Sequence, residues 1–281
     1  MTELVVVDGR NVTYEVWGPA DGRPWVFIGG TPSCRYLLMD DAFFERSGIR
    51  AVTFDRPGFG GSDRLPGRRV VDVVGDVQAI TAAMGWDRYG VFGGSGGTPH
   101  ALACGARLAD QITRVVVCGQ VAPSSMPDLT ASMMPFNRQM TELAHDDPAA
   151  FTQRLTATAA AIVADPMGAF LATLDGIPDV DREFLNRPEV QARAVRTLSE
   201  ALRNGPDGWY DDTMAIMGDW GFTLDSVRVP VRLYHGGLDV NCPLGHAQYV
   251  AALLPDAELT VWPELGHMSA TMRLADVEAF A

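Results

Sequence analysis

The sequence predicts an α/β fold in which a mostly parallel central sheet is flanked by helices and interrupted by a long helical insertion. Short apolar runs alternate with helical segments before residue 121 and again after residue 226. This alternation is typical of a parallel sheet that is covered on both faces. Between the two parts, residues 122–225 contain no convincing strand. We therefore expect one core domain, formed by residues 1–121 and 226–281, and a helical cap formed by residues 122–225.

The core elements are predicted in order from their hydrophobic patterns. Two strands at 4–7 and 12–17, joined by Asp8 and Gly9, indicate an opening β-hairpin. Further strands are predicted at 25–28, 51–54, 89–92, 114–118, 229–234 and 258–262. Helices are predicted at 36–47, at 70–84, directly after Ser95, at 244–254 and at 270–280.

The cap has a different composition from the core. It is rich in methionine and alanine, and its helical segments are interrupted repeatedly by proline, at Pro127, Pro135, Pro148, Pro166, Pro178, Pro188 and Pro206. Proline does not continue a helix from its interior, so several separate helices are expected.

Composition restricts the classes of partner. The 281-residue chain is 47% hydrophobic and carries a formal net charge of −13, which disfavours nucleic acid and anionic membranes as partners. Its four cysteines lack C-x-x-C spacing, so neither a zinc site nor a disulfide framework is indicated. The apolar run at 4–7 is too short for a signal peptide or a membrane span. We expect a cytoplasmic protein with a small-molecule substrate and no metal or cofactor, and we leave open a homodimer as its assembly.

One serine lies in a glycine-rich turn between a predicted strand and a predicted helix. Ser95 is the centre of the run G-G-S-G-G at 93–97. A one-residue reversal from strand to helix strains the backbone of that residue and leaves no room for Cβ atoms beside it. The pattern is that of the G-x-S-x-G nucleophile elbow. Such a turn can also bind phosphate, but the G-x-x-x-x-G-K-S/T pattern of a nucleotide site is absent. Ser95 is therefore the candidate nucleophile.

A serine nucleophile needs a base, usually a histidine that a carboxylate orients. Of the five histidines, His267 follows a predicted strand and so lies at the same edge of the sheet as Ser95. Asp239 also follows a predicted strand, five residues after Tyr234. His235 ends that strand directly, and His100 lies in the helix after the serine, where it is expected to pack in the core. We predict Asp239 as the acid and His267 as the base.

With these residues the chain resembles the α/β-hydrolase superfamily, especially a bacterial serine hydrolase subgroup with a helical cap. That subgroup carries an H-G-T-P-G-S-R-like loop, a D-R-P-G-Y-G-x-S loop and a G-x-S-G-G-G-P-H-A-L-A elbow. The corresponding segments here are G-G-T-P-S-C-R at 29–35, D-R-P-G-F-G-G-S at 55–62 and G-G-S-G-G-T-P-H-A-L-A at 93–103. The similarity covers most of residues 1–121 and 226–281.

The resemblance implies roles for individual residues. It places the nucleophile on Ser95, the acid on Asp239 and the base on His267, and it forms the oxyanion hole from the backbone N–H groups of Thr31 and Gly96. Most relatives carry a histidine where this chain has Gly29. That side chain usually braces the oxyanion loop, so here we expect a less rigid loop or another bracing group.

The predicted function is hydrolysis of an ester, thioester or lactone of mostly apolar character through an acyl-enzyme intermediate. Methionine and aromatic side chains of the cap are candidates for an apolar pocket. The candidate pocket residues are Met133, Phe136, Met140, Trp209, Met214 and Met217.

Two alternatives remain open at this point. A proline iminopeptidase-like peptidase has a similar glycine-rich oxyanion loop and binds its substrate amine with acidic groups of the cap. Four cap residues are candidates for that role: Asp146, Asp147, Asp211 and Asp212. The second alternative is a ligand-binding or biosynthetic protein that has kept the scaffold and lost ordinary hydrolysis, which only the replacement at Gly29 favours.

Overall fold

The computed structural model describes residues 2–36, 41–274 and 280. Its centre is an eight-stranded sheet with the strand order β1-β2-β4-β3-β5-β6-β7-β8. The strands are β1 (Thr2–Val7), β2 (Arg10–Trp17), β3 (Arg23–Ile28), β4 (Ile49–Phe54), β5 (Tyr89–Gly94), β6 (Ile112–Cys118), β7 (Val231–Gly236) and β8 (Ala257–Trp262).

Strand direction divides the sheet into a hairpin edge and a parallel body. β1 pairs with β2, and β2 with β4, in antiparallel register. All later neighbours, from β4–β3 to β7–β8, are parallel. The hairpin turns through Asp8 and Gly9, both at positive φ. The predicted α/β class with a mostly parallel sheet is therefore confirmed.

Helices of the core cover both faces of this sheet. They are α1 (Asp41–Arg46), α2 (Val73–Ala83), α3 (Thr98–Arg107), α10 (Leu244–Leu253) and α11 (His267–Arg273). The predicted helix at 36–47 includes residues 37–40, and the predicted helix at 270–280 includes residues 275–279, so both lie partly outside the described residues. The last helix also begins three residues earlier than predicted, at His267.

The central strands alternate between two hydrophobic clusters. On β3, Val26 and Ile28 pack on one face with residues of α2 and α3. Trp25 and Phe27 pack on the other face with Phe44 and Phe280. This period of two, with apolar residues on both sides, is the reason that these strands appear as continuous apolar runs in the sequence.

The cap folds as six helices, with no strand in residues 122–225. The helices are α4 (Pro135–Asp146), α5 (Pro148–Ala164), α6 (Pro166–Ala172), α7 (Asp179–Leu185), α8 (Pro188–Ala201) and α9 (Asp207–Met217). Four of the prolines that interrupt the sequence are the first residues of these helices, where no intrahelical donor is lost. Among the described residues, no helix is both long enough and apolar enough to cross a membrane.

Candidate active site

Ser95 occupies a strained turn at the carboxyl end of β5. Its φ is +50°, a left-handed value that is rare for residues other than glycine. The chain then continues through a short 3₁₀ turn, Ser95–Gly97, into α3. A Cβ atom at Gly97 would lie 2.3 Å from the carbonyl oxygen of Ile28, so only glycine fits there. The glycine-rich run therefore lets the turn pass close to β3 while presenting the serine above the sheet edge.

His267 and Asp239 follow β8 and β7, and the structure brings them together. His267 Nδ1 lies 2.7 Å from Asp239 Oδ2, and both side chains are buried. Asp239 Oδ1 accepts the backbone N–H groups of Asn241 and Cys242, each at 2.9 Å. This carboxylate is therefore fixed by its own loop, with one oxygen left for the imidazole.

The charges of this pair shift both titrations. Burial alone would lower the pKa of His267, but the charge and hydrogen bond of Asp239, with a contribution from Asp181, raise it above its usual range. Burial would raise the pKa of Asp239, but His267 and the loop amides lower it. The arrangement favours an ionised Asp239 that stabilises a protonated His267.

Ser95 and His267 both line one cavity of about 210 Å³ between the core and the cap. Its wall is predominantly apolar, with Phe136, Phe170, Leu174, Phe184, Trp209 and Met272 among the lining side chains. No Asp, Glu, Lys or Arg lines it among the described residues. Asn241 lines it too, and its Oδ1 is buried with no hydrogen-bond partner in the described part of the chain.

The predicted oxyanion donors lie beside each other. A Cβ atom at Gly96 would lie 2.2 Å from Thr31 Oγ1 and 3.2 Å from the Thr31 nitrogen, so the two residues are in close contact. The Thr31 N–H donates to no acceptor among the described residues. It therefore remains available to a bound oxygen atom.

Arg56 braces the loop that carries Thr31. Its guanidinium donates to the carbonyl oxygens of Gly29 at 2.5 Å and Gly30 at 2.7 Å, and to Thr31 Oγ1 at 3.0 Å. In the sequence, Arg56 is marked only as part of the D-R-P-G-F-G-G-S segment at 55–62, and nothing there indicates this contact. From the sequence we expect either a less rigid loop or another bracing group where Gly29 replaces histidine, and Arg56 is a group that braces this loop.

Asp212, on cap helix α9, holds Arg56 in place. Its carboxylate accepts from Arg56 Nη2 at 2.6 Å and from Arg68 Nη2 at 2.5 Å, and it also accepts the hydroxyl of Thr31. Burial would raise the pKa of Asp212, but the two guanidinium groups keep it far below its usual range. This aspartate is a fully buried anion that joins the cap to the loop that carries Thr31.

His100 connects the same cluster to Gly96. Its Nδ1 lies 3.0 Å from the Gly96 carbonyl oxygen, and its Nε2 lies 3.4 Å from Arg68 Nη1. Burial lowers the pKa of His100 to about 3, so the ring is neutral at pH 7. A neutral ring that donates from Nδ1 accepts at Nε2, which fits the arginine beside it. His100 is buried as expected, and it also fixes a carbonyl of the elbow.

A second cap aspartate contacts the start of the helix that carries His267. Asp181, on α7, accepts the N–H groups of His267 at 2.7 Å, Met268 at 3.2 Å and Ser269 at 2.9 Å. It also accepts the Ser269 hydroxyl at 2.6 Å. Sequence reasoning missed Asp181 and considered Asp212 only as a group that binds a substrate amine, because their partners are 86 and 181 residues away and no motif marks these contacts.

The predicted pocket residues are only partly on the cavity wall. Phe136 and Trp209 line the cavity, whereas Met133, Met140, Met214 and Met217 do not. Met140, Met214 and Met217 instead pack in the hydrophobic cluster between the cap helices. Met134, the neighbour of Met133, lines the cavity in its place. Helical periodicity places an apolar side chain on a buried face, but it does not distinguish the cap's own core from the cavity.

Among the described residues, no group of three or more His, Cys, Asp or Glu side chains is arranged to bind a metal ion. The four cysteines are buried and unpaired.

The comparisons with known proteins agree with this fold. The family model described as the alpha/beta hydrolase fold matches residues 26–270, and the chain therefore belongs to the α/β-hydrolase family of enzymes. This confirms the resemblance that the loop and elbow motifs indicated.

Individual relatives are more distant. The chain is 26% identical to a proline iminopeptidase from Xylella fastidiosa, over 94% of this chain and 89% of that protein. A hydrolase from Pseudomonas aeruginosa superimposes with a TM-score of 0.70 at 17% identity, covering 100% of this chain and 98% of that one. An enol-lactonase from Burkholderia xenovorans superimposes with a TM-score of 0.69 at 18% identity, covering 99% and 96%. At these identities the two structures establish the fold alone.

Proposed function

We propose that this α/β-hydrolase cleaves a neutral, mostly apolar ester, thioester or lactone through an acyl-enzyme on Ser95. The observation that carries the proposal is the cavity wall: Ser95 and His267 line a predominantly apolar cavity without a charged Asp, Glu, Lys or Arg among the described residues. A neutral acyl chain is stabilised by such a wall, whereas a bound cation would lose its hydration there without compensation.

The proposed reaction uses the residues that meet at this cavity. Ser95 Oγ attacks the acyl carbon while His267 accepts the hydroxyl proton, and the Thr31 and Gly96 amides stabilise the negative oxygen of the tetrahedral intermediate. His267 then gives that proton to the departing alcohol, thiol or ring oxygen. Water next attacks the acyl-enzyme while His267 again accepts a proton, and His267 then gives this proton to Ser95 Oγ as the acyl–oxygen bond breaks and the acid is released.

A proline iminopeptidase-like activity is the second candidate, because the Xylella fastidiosa relative carries that name. It requires a carboxylate for the substrate amine. The four cap aspartates considered for this role do not line the cavity. Asp211 and Asp212 bind Arg64, Arg56 and Arg68, Asp147 caps α5, and Asp146 pairs with His145 at the surface. These contacts favour hydrolysis of an acyl ester over a proline iminopeptidase-like activity.

The test is intact-protein mass spectrometry after treatment with a fluorophosphonate, with Ser95→Ala as the matched control. We expect one adduct on the wild-type protein and none on the variant. p-Nitrophenyl esters of increasing chain length and aminoacyl-naphthylamides are then compared as substrates. We expect kcat/KM to rise with acyl length until the cavity is filled, and aminoacyl-naphthylamides to be cleaved far more slowly.

Three outcomes would contradict the proposal. An unlabelled but folded wild-type protein would favour the ligand-binding alternative. Wild-type rates for Ser95→Ala would exclude the serine mechanism. Preference for a proline naphthylamide over every ester would favour the peptidase.

A further inference from the structure

Two adjacent aspartates on cap helix α9 form ion pairs with the core, but they reach different parts of it. Asp211 accepts from Arg64 Nε at 2.6 Å and Nη2 at 3.0 Å, in the loop after β4. Asp212 accepts from Arg56 and Arg68 and contacts the hydroxyl of Thr31. Of the two aspartates, only Asp212 contacts residues next to the candidate oxyanion hole.

We propose that Asp212 is a positioning residue, through which the cap sets the geometry of the oxyanion hole. This inference rests on the proposed serine mechanism. Asp212 does not line the cavity, so it acts through Arg56, Arg68 and Thr31 and not by touching substrate.

The first connection runs to the Thr31 donor. Arg56 binds the carbonyl oxygens of Gly29 and Gly30, the two residues that precede Thr31. The Thr31 side chain donates to the same carboxylate that holds Arg56. The Gly30–Thr31 peptide group, whose nitrogen lies beside Gly96, is thus held at its carbonyl oxygen by Arg56 and through the Thr31 side chain by Asp212. Glycine backbone is intrinsically free to move, and this fixation compensates for that freedom.

The second connection runs to the Gly96 donor. Arg68 lies between Asp212 Oδ1 and His100 Nε2, and His100 Nδ1 contacts the Gly96 carbonyl oxygen. Holding that carbonyl fixes the orientation of the turn that carries the Gly96 N–H. One carboxylate of the cap is therefore linked to both donors.

Burial makes this carboxylate sensitive to replacement. Asp212 has no exposed surface, and the side chains of Arg56 and Arg68 are 3% and 2% exposed. An isosteric amide removes the carboxylate that these two cations share, so they must find other partners or water. The carbonyl oxygens of Gly29 and Gly30 then lose Arg56 as a fixed hydrogen-bond donor. Because an oxyanion donor acts only when placed to within a fraction of an ångström, the effect should appear in the transition state.

The experiment compares Asp212→Asn with Asp211→Asn, its neighbour on the same helix and also a partner of a core arginine. We expect kcat for the best p-nitrophenyl ester to fall about 10- to 100-fold in Asp212→Asn, with KM within about threefold, because a displaced donor costs part of what a removed donor costs. Asp211→Asn should keep kcat within about twofold of wild type. Melting temperatures of both variants are measured, and kinetics are run well below the lower one.

A second readout separates positioning from a general loss of structure. An alkyl trifluoromethyl ketone adds to a serine and forms an oxyanion, whereas the matching methyl ketone binds mainly as a ground-state ligand. Asp212→Asn should weaken binding of the fluorinated ketone by the same factor as kcat/KM, and leave binding of the methyl ketone within about twofold. A structural role alone would weaken both equally.

Thr31→Val and Thr31→Ser test the inference if Asp212→Asn does not fold, since neither leaves a cation without its carboxylate. Both keep the backbone donor. We expect Thr31→Val to lower kcat about tenfold and Thr31→Ser to restore most of it. Equal kcat in Asp212→Asn and Asp211→Asn, or in Thr31→Val and Thr31→Ser, would overturn the inference. An unlabelled wild-type protein would instead overturn the proposed function, so the two failures are distinguishable.

Discussion

The hydrogen bond between His267 and Asp239 determines at which pH the candidate base is neutral. Burial of the ring and the nearby carboxylate act in opposite directions on the pKa of His267, and the carboxylate prevails. The proposed mechanism needs the neutral ring as base. Activity should therefore be lost on acidification at a higher pH than the usual histidine value of 6.5 would give.

We predict that the acidic limb of kcat/KM lies above pH 6.5 in the wild-type enzyme. In Asp239→Asn the favourable charge is gone while burial remains, so the limb should move to lower pH, and kcat should fall by about 10³- to 10⁴-fold because the ring loses its orienting acceptor. The measurement is a pH profile with an ester whose leaving group does not titrate between pH 5 and 9. An unchanged limb in Asp239→Asn would mean that another group titrates.

Helices α7 and α11 meet at Asp181, which connects the cap to the residue that carries the candidate base. A helix of seven residues contributes little stability by itself, so its start needs acceptors for its free N–H groups. Asp181 accepts three of them. This carboxylate also lies close enough to raise the pKa of His267.

We predict that Asp181→Asn destabilises the protein by about 1–3 kcal/mol, the cost of weakening buried charge-assisted hydrogen bonds. It should also move the acidic limb of kcat/KM to lower pH, because a negative charge near His267 is removed. Urea unfolding and the pH profile measure the two effects. Asp179→Asn is the matched control: it lies on the same helix, but its side chain is 95% exposed and, among the described residues, forms an ion pair with Arg182 alone, so neither quantity should change. If the acidic limb of kcat/KM lies at the same pH in Asp181→Asn as in the wild type, Asp181 has only a structural effect.

The elements differ in how far the sequence predicts them. The sheet is predictable because buried parallel strands leave continuous apolar runs, and the cap helices because Pro135, Pro148, Pro166 and Pro188 mark their first residues. The elbow is predictable because strain selects glycine around Ser95. The contacts of Asp181 and Asp212 are not predictable, since they depend on how a cap without a sequence motif docks on the core. The residues that line the cavity cannot be predicted for the same reason.

At the scale of the whole molecule, three buried histidines contact polar groups in different parts of the protein. His100 lies in the Asp212 cluster, and His235 and His246 lie near the Asp239 loop and the start of α10. Burial lowers the pKa of all three below the usual histidine value. A histidine with a lowered pKa in the folded state stabilises the protein above its unfolded pKa, and this contribution is lost as the pH falls.

For His100, the pH range in which this stability is lost lies between its two pKa values, about 6.5 in the unfolded state and about 3 in the folded state. Within it the unfolded chain binds one more proton than the folded one, so the free energy of unfolding should decrease by up to about 1.4 kcal/mol per pH unit. His267 has the opposite shift, but it titrates above 6.5 and adds little to the slope below that value. We predict that wild-type stability in urea falls between pH 6.5 and 5, and that His100→Asn shows a smaller slope while its stability at pH 5 approaches that of wild type. Parallel curves for the two proteins over this range would show that His100 does not remain neutral in the folded state, and that the arginines beside it do not exclude a proton.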